Sequence, residues 1–123
     1  MSNKRLLAVF ELGGYPNFES LYRRLGYRME VVTSGRKATA FLKKSPVDVI
    51  VAEFNFQPNF RDRTSNLESI LATAQRHPGI KVVVFYEPEH LGQLDRLRTR
   101  FTIHGALPYP ITEAALEGAL LEL

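Results

Sequence analysis

Apolar residues along the chain follow two alternating patterns, one typical of strands and the other typical of helices. Five runs rich in Val, Ile, Phe and Tyr predict strands: RLLAVFEL, RMEVVT, VDVIVAEF, KVVVFY and the shorter HGALPY. The segments between them place apolar residues at the i, i+3, i+4, i+7 spacing of a helix with one buried face, as in Leu67, Ile70, Leu71 and Ala74. The pattern therefore predicts five strand–helix repeats.

Local signals support the ends of the helices and the pairing of the strands. Ser65 followed by Glu68 predicts a capping box for the third helix, and Thr112 predicts the start of the fifth. The third and fourth strands have no polar residue at their centres, which predicts burial on both faces and parallel pairing beneath helices. Right-handed crossovers then predict one doubly wound α/β domain over residues 1–123, with a parallel five-stranded sheet in the order 2-1-3-4-5.

Composition narrows the chemistry that is possible. The absence of cysteine excludes disulfides, thiolate catalysis and Cys-based metal sites, and it fits a reducing cytoplasm. The apolar run near the N-terminus is too short to span a bilayer and is interrupted by Glu11, so we expect a cytoplasmic protein without a membrane segment. The three histidines are scattered singly, so they predict no metal site. A net charge of +3 permits nucleic acid or acidic proteins as partners without selecting either.

The candidate site lies where the strands of such a sheet end. In open α/β sheets, the working surface lies beyond the carboxyl ends of the strands, at the point where the strand order reverses. The residues that we expect there are Glu11, Leu12, Glu53, Tyr86, Tyr109 and Pro110.

The motifs around these residues are similar to those of a known family. In VDVIVAEFNFQPNF, VVVFYE and GALPYP, and in the order and length of its elements, the whole chain resembles the receiver domain of bacterial response regulators. The resemblance implies a flavodoxin-like fold, with Glu53 at the phosphoacceptor aspartate and Tyr86 at the family's Thr/Ser. It also implies that Tyr109 stands at the family's lysine and that the bond from Tyr109 to Pro110 is cis.

The motifs that carry the family's chemistry are altered in this chain. Two adjacent acids hold magnesium in the family, whereas FELGG offers Glu11 and then Leu12, which has no ligand oxygen. Glu53 extends about 1.5 Å further than an aspartate would. Tyr86 and Tyr109 supply neither a small hydroxyl nor a cation for a transferring phosphoryl group. We therefore expect no metal, no cofactor and no phosphorylation switch.

Two interpretations of Glu53 stay open at this point. Its longer carboxylate could imitate a phosphorylated aspartate and hold an active-like state, which would require a cationic partner. The second interpretation is a solvated or tyrosine-bonded acid at the rim of the sheet.

Two surfaces are candidates for binding partners. The segment NFQPNFRDRTSN places aromatic residues next to arginine, including Phe60 and Arg61, which suits a protein partner first and single-stranded nucleic acid second. The other surface spans helix four, strand five and helix five, where we expect a homodimer or a partner protein to dock on an apolar centre with a basic border. The residues of this second surface are Arg96, Arg100, Leu107, Tyr109 and Leu121.

These features predict a degenerate receiver, or pseudo-receiver, that binds a protein in bacterial two-component signal transduction without phosphorylation and is not an enzyme. The alternative is a basic nucleic-acid-associated or nucleotide-binding α/β domain. For that alternative, the turn ELGGYPNF lacks both the GxGxxG spacing and a Walker lysine. A hydrolase that uses Glu11 and Glu53 ranks third, because no second domain encloses a substrate.

Overall fold

A computed structural model describes residues 4–10, 18–54, 66–77 and 79–123 of the protein. These residues contain five parallel strands. The strands are β1 (Lys4–Val9), β2 (Tyr27–Val32), β3 (Val49–Phe54), β4 (Lys81–Tyr86) and β5 (Gly105–Pro108). They form one sheet in the order β2-β1-β3-β4-β5. All four strand pairs are parallel, so the predicted order and pairing are confirmed.

Helices connect successive strands, as the apolar spacing predicts. They are α1 (Glu19–Arg24), α2 (Gly35–Lys44), α3 (Asn66–Gln75), α4 (Leu91–Arg98) and α5 (Glu113–Leu121), with a short 3-10 turn over Pro88–His90 before α4. The Thr112 hydroxyl accepts a hydrogen bond from the Ala115 N–H at 3.1 Å, which confirms the predicted start of α5. The Ser34 hydroxyl caps α2 in the same way by accepting a hydrogen bond from the Lys37 N–H at 3.1 Å. The sequence pattern did not predict this cap. The predicted cap Ser65 lies outside the described residues.

Two apolar layers hold the helices against the sheet, because successive strand residues point to opposite faces. One layer lies beneath α2, α3 and α4, and the other lies beneath α1 and α5. Every residue of β3 is buried, as is every residue of β4 after Lys81, which confirms the predicted burial of both strands. Each fully buried aliphatic or aromatic side chain contributes about 1.5–3 kcal/mol, so these layers dominate the stability of the fold.

Several local details refine the predicted elements. β1 ends at Val9, earlier than its apolar run suggests. Leu91 shares the apolar spacing of the buried Leu94 and Leu97 but is 42% exposed at the first residue of α4. The bond between Tyr109 and Pro110 is cis, as the resemblance implies. No helix within the described ranges has both the length and the apolar character needed to cross a bilayer.

Candidate functional site

The register of β3 with β4 determines how the predicted site residues at their carboxyl ends are oriented. Glu53 is in register with Phe85, and Phe54 is in register with Tyr86. Paired residues of neighbouring strands share a face, and the next residue along each strand points to the other face. Phe54 and Tyr86 pack in the layer beneath α2, α3 and α4, whereas Val51 and Phe85 pack beneath α1 and α5. Glu53 therefore faces α1 and α5, while Tyr86 faces the opposite layer.

Glu53 and Tyr86 thus lie at the carboxyl ends of adjacent strands, with their side chains on opposite faces of the sheet. An acid and a hydroxyl can act on the same phosphoryl group only if both come within about 3 Å of it. The residue beside Tyr86 on its own face is Phe54, which carries no acid. Strand phase within β3 shows that Glu53 alternates with Phe54 and is in phase with Val49 and Val51, whereas its relation to Tyr86 also depends on the register of β3 with β4.

Glu53 is buried inside the protein and is not exposed to solvent at the edge of the sheet. Its exposed fraction is 5%, so the interpretation of a solvated acid is wrong. Its register neighbour Phe85 is fully buried and packs against the rings of Phe10 and Phe18, with centroids 6.0 Å and 6.3 Å apart. Aromatic packing at this end of the sheet therefore surrounds the register neighbour of Glu53 with apolar rings.

Tyr86 and Tyr109 are neighbours through the backbone. The Tyr109 N–H donates to the Tyr86 carbonyl at 2.8 Å, which extends the pairing of β4 and β5 by one residue. The Tyr86 side chain is buried, whereas the Tyr109 side chain is 38% exposed just before the cis bond to the exposed Pro110. The lysine position of the resemblance is thus filled by an exposed phenol, which offers contact area instead of positive charge.

The described residues provide only part of a magnesium site of the kind that the resemblance implies. Magnesium requires near-octahedral oxygen ligation, usually with one or more carboxylates. Glu53, next to the last residue of β3, has a carboxylate, whereas β4 and β5 end in Tyr86 and Pro108, which have none. Within the described ranges, no three His, Cys, Asp or Glu side chains are placed to hold a metal ion. Four predicted residues lie outside these ranges: Glu11, Leu12, Phe60 and Arg61.

Leu121 lies on the side of α5 that faces α1. It follows Glu113 and Glu117 at the i+4 spacing that forms one stripe of a helix. Both carboxylates pair with Arg24 of α1, at 3.5 Å and 3.4 Å. The 70% exposed Leu121 continues this stripe, so it belongs to the surface shared by α1 and α5.

The opposite side of α5 contacts β5. A Cβ built on Gly105 would lie 3.7 Å from the Cβ of Ala119. Ala119 and Leu121 point about 160° apart around the helix axis. The structure therefore does not bring Leu121 together with Leu107 and Tyr109, contrary to the predicted surface.

Arg100 is bound to α3 instead of lining the edge of β5. Its guanidinium pairs with Glu68 at 2.7 Å and lies over the ring of Phe101, 5.2 Å from the centroid. Its carbonyl also accepts a hydrogen bond from Gln75 of α3 at 3.3 Å. Arg96 is exposed on α4. Of the predicted docking residues, Leu107 and Tyr109 remain together at the end of β5.

Tyr22 places a second buried polar group in the layer that contains Glu53. Its ring is 1% exposed, and its hydroxyl makes no hydrogen bond within the described part of the chain. Burial raises the pKa of this phenol above its ordinary value. Because the sequence pattern marks Tyr22 only as an apolar position of α1, the unpaired hydroxyl became visible only in the structure.

Comparison with solved structures identifies the architecture. The chain is similar to a response regulator receiver domain protein of Methanospirillum hungatei JF-1, with a TM-score of 0.76 and 14% identity over 98% of this chain and 93% of that chain. This is the receiver-domain fold. A receiver domain of Methylobacillus flagellatus gives a TM-score of 0.70 and 21% identity over 98% of both chains.

A third solved structure with this fold contains a metal ion. The receiver domain of a sensor histidine kinase from Pseudomonas aeruginosa PAO1 holds a magnesium ion in its active site cleft. It matches with a TM-score of 0.68 and 20% identity over 98% of this chain and 97% of that chain. Comparisons with family models and with curated protein sequences gave no match. The similarity to solved structures thus shows the receiver fold.

Proposed function

We propose that this chain is a phosphorylation-independent, receiver-like module of bacterial signal transduction, which acts in the cytoplasm by binding another protein and not by catalysis. The observation that carries the proposal is the separation of Glu53 and Tyr86 onto opposite faces of the sheet. With Glu53 also buried, a phosphate donor has no accessible acceptor, and no described residue replaces the family's lysine beside Tyr109.

The partner surface that we propose is the outer edge of β5 with the adjoining start of α4. β5 is an edge strand, and such strands offer a row of backbone groups to another chain. Pro108 has no N–H, so it interrupts strand addition and leaves side chains to make the contact. Leu107 is half-buried, and Tyr109 offers an exposed ring of the kind that often anchors interfaces.

Leu91 extends this surface onto α4. It follows β4 at the carboxyl edge of the sheet, as Tyr109 follows β5, so both exposed side chains lie at the same edge. A stable contact centred there would bury on the order of 1,200–2,000 Å². The surface therefore fits either a second copy of the chain or a separate protein partner.

The absence of phosphorylation can be tested directly. We expect the intact mass to stay unchanged after incubation with acetyl phosphate and magnesium, because the buried Glu53 cannot reach the donor. A receiver domain with an intact aspartate serves as the positive control. A phosphate adduct on Glu53 would contradict the proposal.

The partner surface can be tested with matched variants. Tyr109→Asp and Leu91→Asp should each weaken self-association in sedimentation, or capture of the partner by the tagged chain, by about tenfold or more. The control is Val31→Asp, because Val31 is 52% exposed on β2 at the far edge of the sheet. Equal losses from all three variants, or no loss from the first two, would refute this surface.

A further inference from the structure

A cavity of about 400 Å³ opens at the amino end of the sheet, on the edge opposite to the candidate site. It lies between the connection from α2 to β3 and the connection from α3 to β4. The buried side chains of Leu42, Val47 and Ile80 form an apolar floor. Small-molecule sites typically have volumes of about 300–1,000 Å³ and an apolar lining with a few polar groups, so the cavity has the size and floor of a ligand site.

Two lysines stand at the rim of this cavity. Lys43 and Lys44 are the last residues of α2, and both are exposed. Within the described residues, neither makes an ion pair or a side-chain hydrogen bond. The end of a helix carries a partial charge of about −0.5, which a single lysine more than offsets. The second lysine therefore leaves positive charge available to an anionic ligand.

Asp48 also lines the cavity, and backbone hydrogen bonds join it to the neighbouring strands β1 and β4. Its carboxylate accepts the Arg5 N–H at 2.8 Å. Its own N–H donates to the Arg5 carbonyl, and its carbonyl accepts the Lys81 N–H, each at 2.9 Å. These bonds fix the position of Asp48, so its carboxylate offers the ligand a hydrogen-bond acceptor at the wall of the cavity.

A second cavity of about 250 Å³ adjoins the first and shares His77 and Ile80 with it. Its polar wall contains Thr102 and His104. The His104 Nδ1 accepts the Val82 N–H at 3.0 Å, which leaves Nε2 as the ring atom able to donate to a ligand. We call these two adjoining cavities, which share His77 and Ile80 and lie near the amino ends of β3, β4 and β5, the groove.

We propose that this groove binds a nucleotide, with its base on the floor of Leu42, Val47 and Ile80 and its phosphate beside Lys43 and Lys44. A phosphate monoester carries a charge of about −1.5 to −2 at neutral pH, which two unpaired lysines match. The Asp48 carboxylate accepts a hydrogen bond from the amino group of a base. A free mononucleotide and the terminal nucleotide of a single-stranded RNA offer the same chemistry. This site is independent of the protein surface proposed at the other end of the sheet.

Filling the mouth of the cavity tests the location of the site. A Cβ on Gly79 would meet no atom within 4 Å, and Gly79 lines the cavity, so Gly79→Trp should occupy it without disturbing the fold. Gly92→Trp is the matched control, because Gly92 on α4 also has open space around it. We expect Gly79→Trp to weaken binding of adenosine monophosphate by about tenfold or more in calorimetric titration, and Gly92→Trp to leave it unchanged.

Removing charge tests the role of the lysines. The double variant Lys43→Gln, Lys44→Gln should also lose about tenfold in affinity. The control variant Arg36→Gln, Lys37→Gln removes the same charge from the first turn of the same helix. Thermal unfolding of each variant confirms that the domain still folds. Equal losses from the two double variants would indicate a general charge effect and would overturn the proposal.

A parallel titration with a short single-stranded RNA distinguishes a free nucleotide from the end of an RNA strand. Both titrations are monitored by amide chemical shifts of the full chain. Saturable binding of adenosine monophosphate, with shifts at Val47, Gly79 and Ile80, supports a free nucleotide. Binding of RNA alone, abolished by Gly79→Trp, supports a strand terminus. Failure of both probes to shift these amides at millimolar concentration overturns the proposal, and it leaves the protein-binding function to its own tests.

Discussion

The two ends of the β-sheet differ in how their side chains meet water. At the carboxyl end, Phe54, Glu53 and Tyr86 are buried, so the end that holds the chemistry of many α/β proteins is packed as part of the core. At the amino end, Lys43 and His104 are exposed around two cavities. The difference shows that the described ends of β3 and β4 are packed into the core at their carboxyl side, whereas exposed polar residues line the cavities at the amino side.

Aromatic side chains account for the burial of Phe85 near the carboxyl end of β4. Phe85 packs against Phe10 in a stacked arrangement and against Phe18 edge-on. Such pairs contribute about 0.5–1.5 kcal/mol beyond the burial of their area. This aromatic packing at the carboxyl end therefore stabilises the domain.

The largest expected effect tests this packing at the two ends of one strand. Phe85→Ala should lower the free energy of unfolding by about 3–5 kcal/mol, because it removes a fully buried ring and leaves a cavity. Lys81→Ala, at the half-buried amino end of β4, should change it by no more than about 0.5 kcal/mol. Urea denaturation measures both values. Similar losses from the two variants would show that the two ends do not differ as the structure indicates.

The next expected effect is smaller, raises the free energy of unfolding instead of lowering it, and tests the apolar layer beneath α1. Tyr22→Phe should raise the free energy of unfolding by about 1 kcal/mol, because it removes a buried hydroxyl that has no hydrogen bond within the described residues. Tyr109→Phe, at an exposed position, serves as the control and should be nearly neutral. A loss of stability in Tyr22→Phe would mean that the hydroxyl makes a favourable contact.

Tyr22 also predicts that the stability of the fold depends on pH in the alkaline range. Burial raises the pKa of Tyr22, so the folded state favours the neutral phenol more than the unfolded state does. Stability is therefore complete below the ordinary tyrosine pKa of about 10 and declines as the pH rises above it. Tyr22→Phe should remove this part of the decline, as measured by thermal unfolding across the alkaline range.

The smallest expected effect tests the polar amino end. Desolvation and then the charge of Lys81 lower the pKa of His104, whose Nδ1 accepts the Val82 N–H only when that nitrogen is unprotonated. This stabilisation is present above the ordinary histidine pKa of about 6.5 and is lost as the pH falls below it. His104→Asn should keep an acceptor oxygen and flatten the acid side of the stability profile. His77→Asn is the control and should retain the wild-type profile.

The fold was predictable because its signals are local and repeated. β3 and β4 are apolar throughout their central residues, and burial on both faces is compatible only with a sheet covered by helices on each side. Thr112 marks the start of α5 through a single hydroxyl that satisfies a free backbone N–H. By contrast, the exposure of Leu91 depends on where α4 begins, which apolar spacing alone does not define.

The candidate site was predicted less well, because its meaning depends on the face and the neighbours of each side chain. The sequence identified Glu53 and Tyr86 as strand-end residues, and this is where they lie. Their separation onto opposite faces follows from the register of two strands that are distant in the sequence. Likewise, the pairing of Arg100 with Glu68 joins α4's end to α3 and withdraws Arg100 from the predicted docking surface.

The sequence by itself determined the strand–helix alternation, the buried central strands and the residue types at the strand ends. These properties depend on the identity and spacing of residues close together in the chain, where periodicity and side-chain chemistry are sufficient. Only the tertiary structure decided that Glu53 is buried, that Glu117 of α5 pairs with Arg24 of α1 and that a cavity opens at the amino end beside Lys43 and Lys44. Those properties arise from register, helix rotation and the gaps between distant connections, which no local pattern encodes.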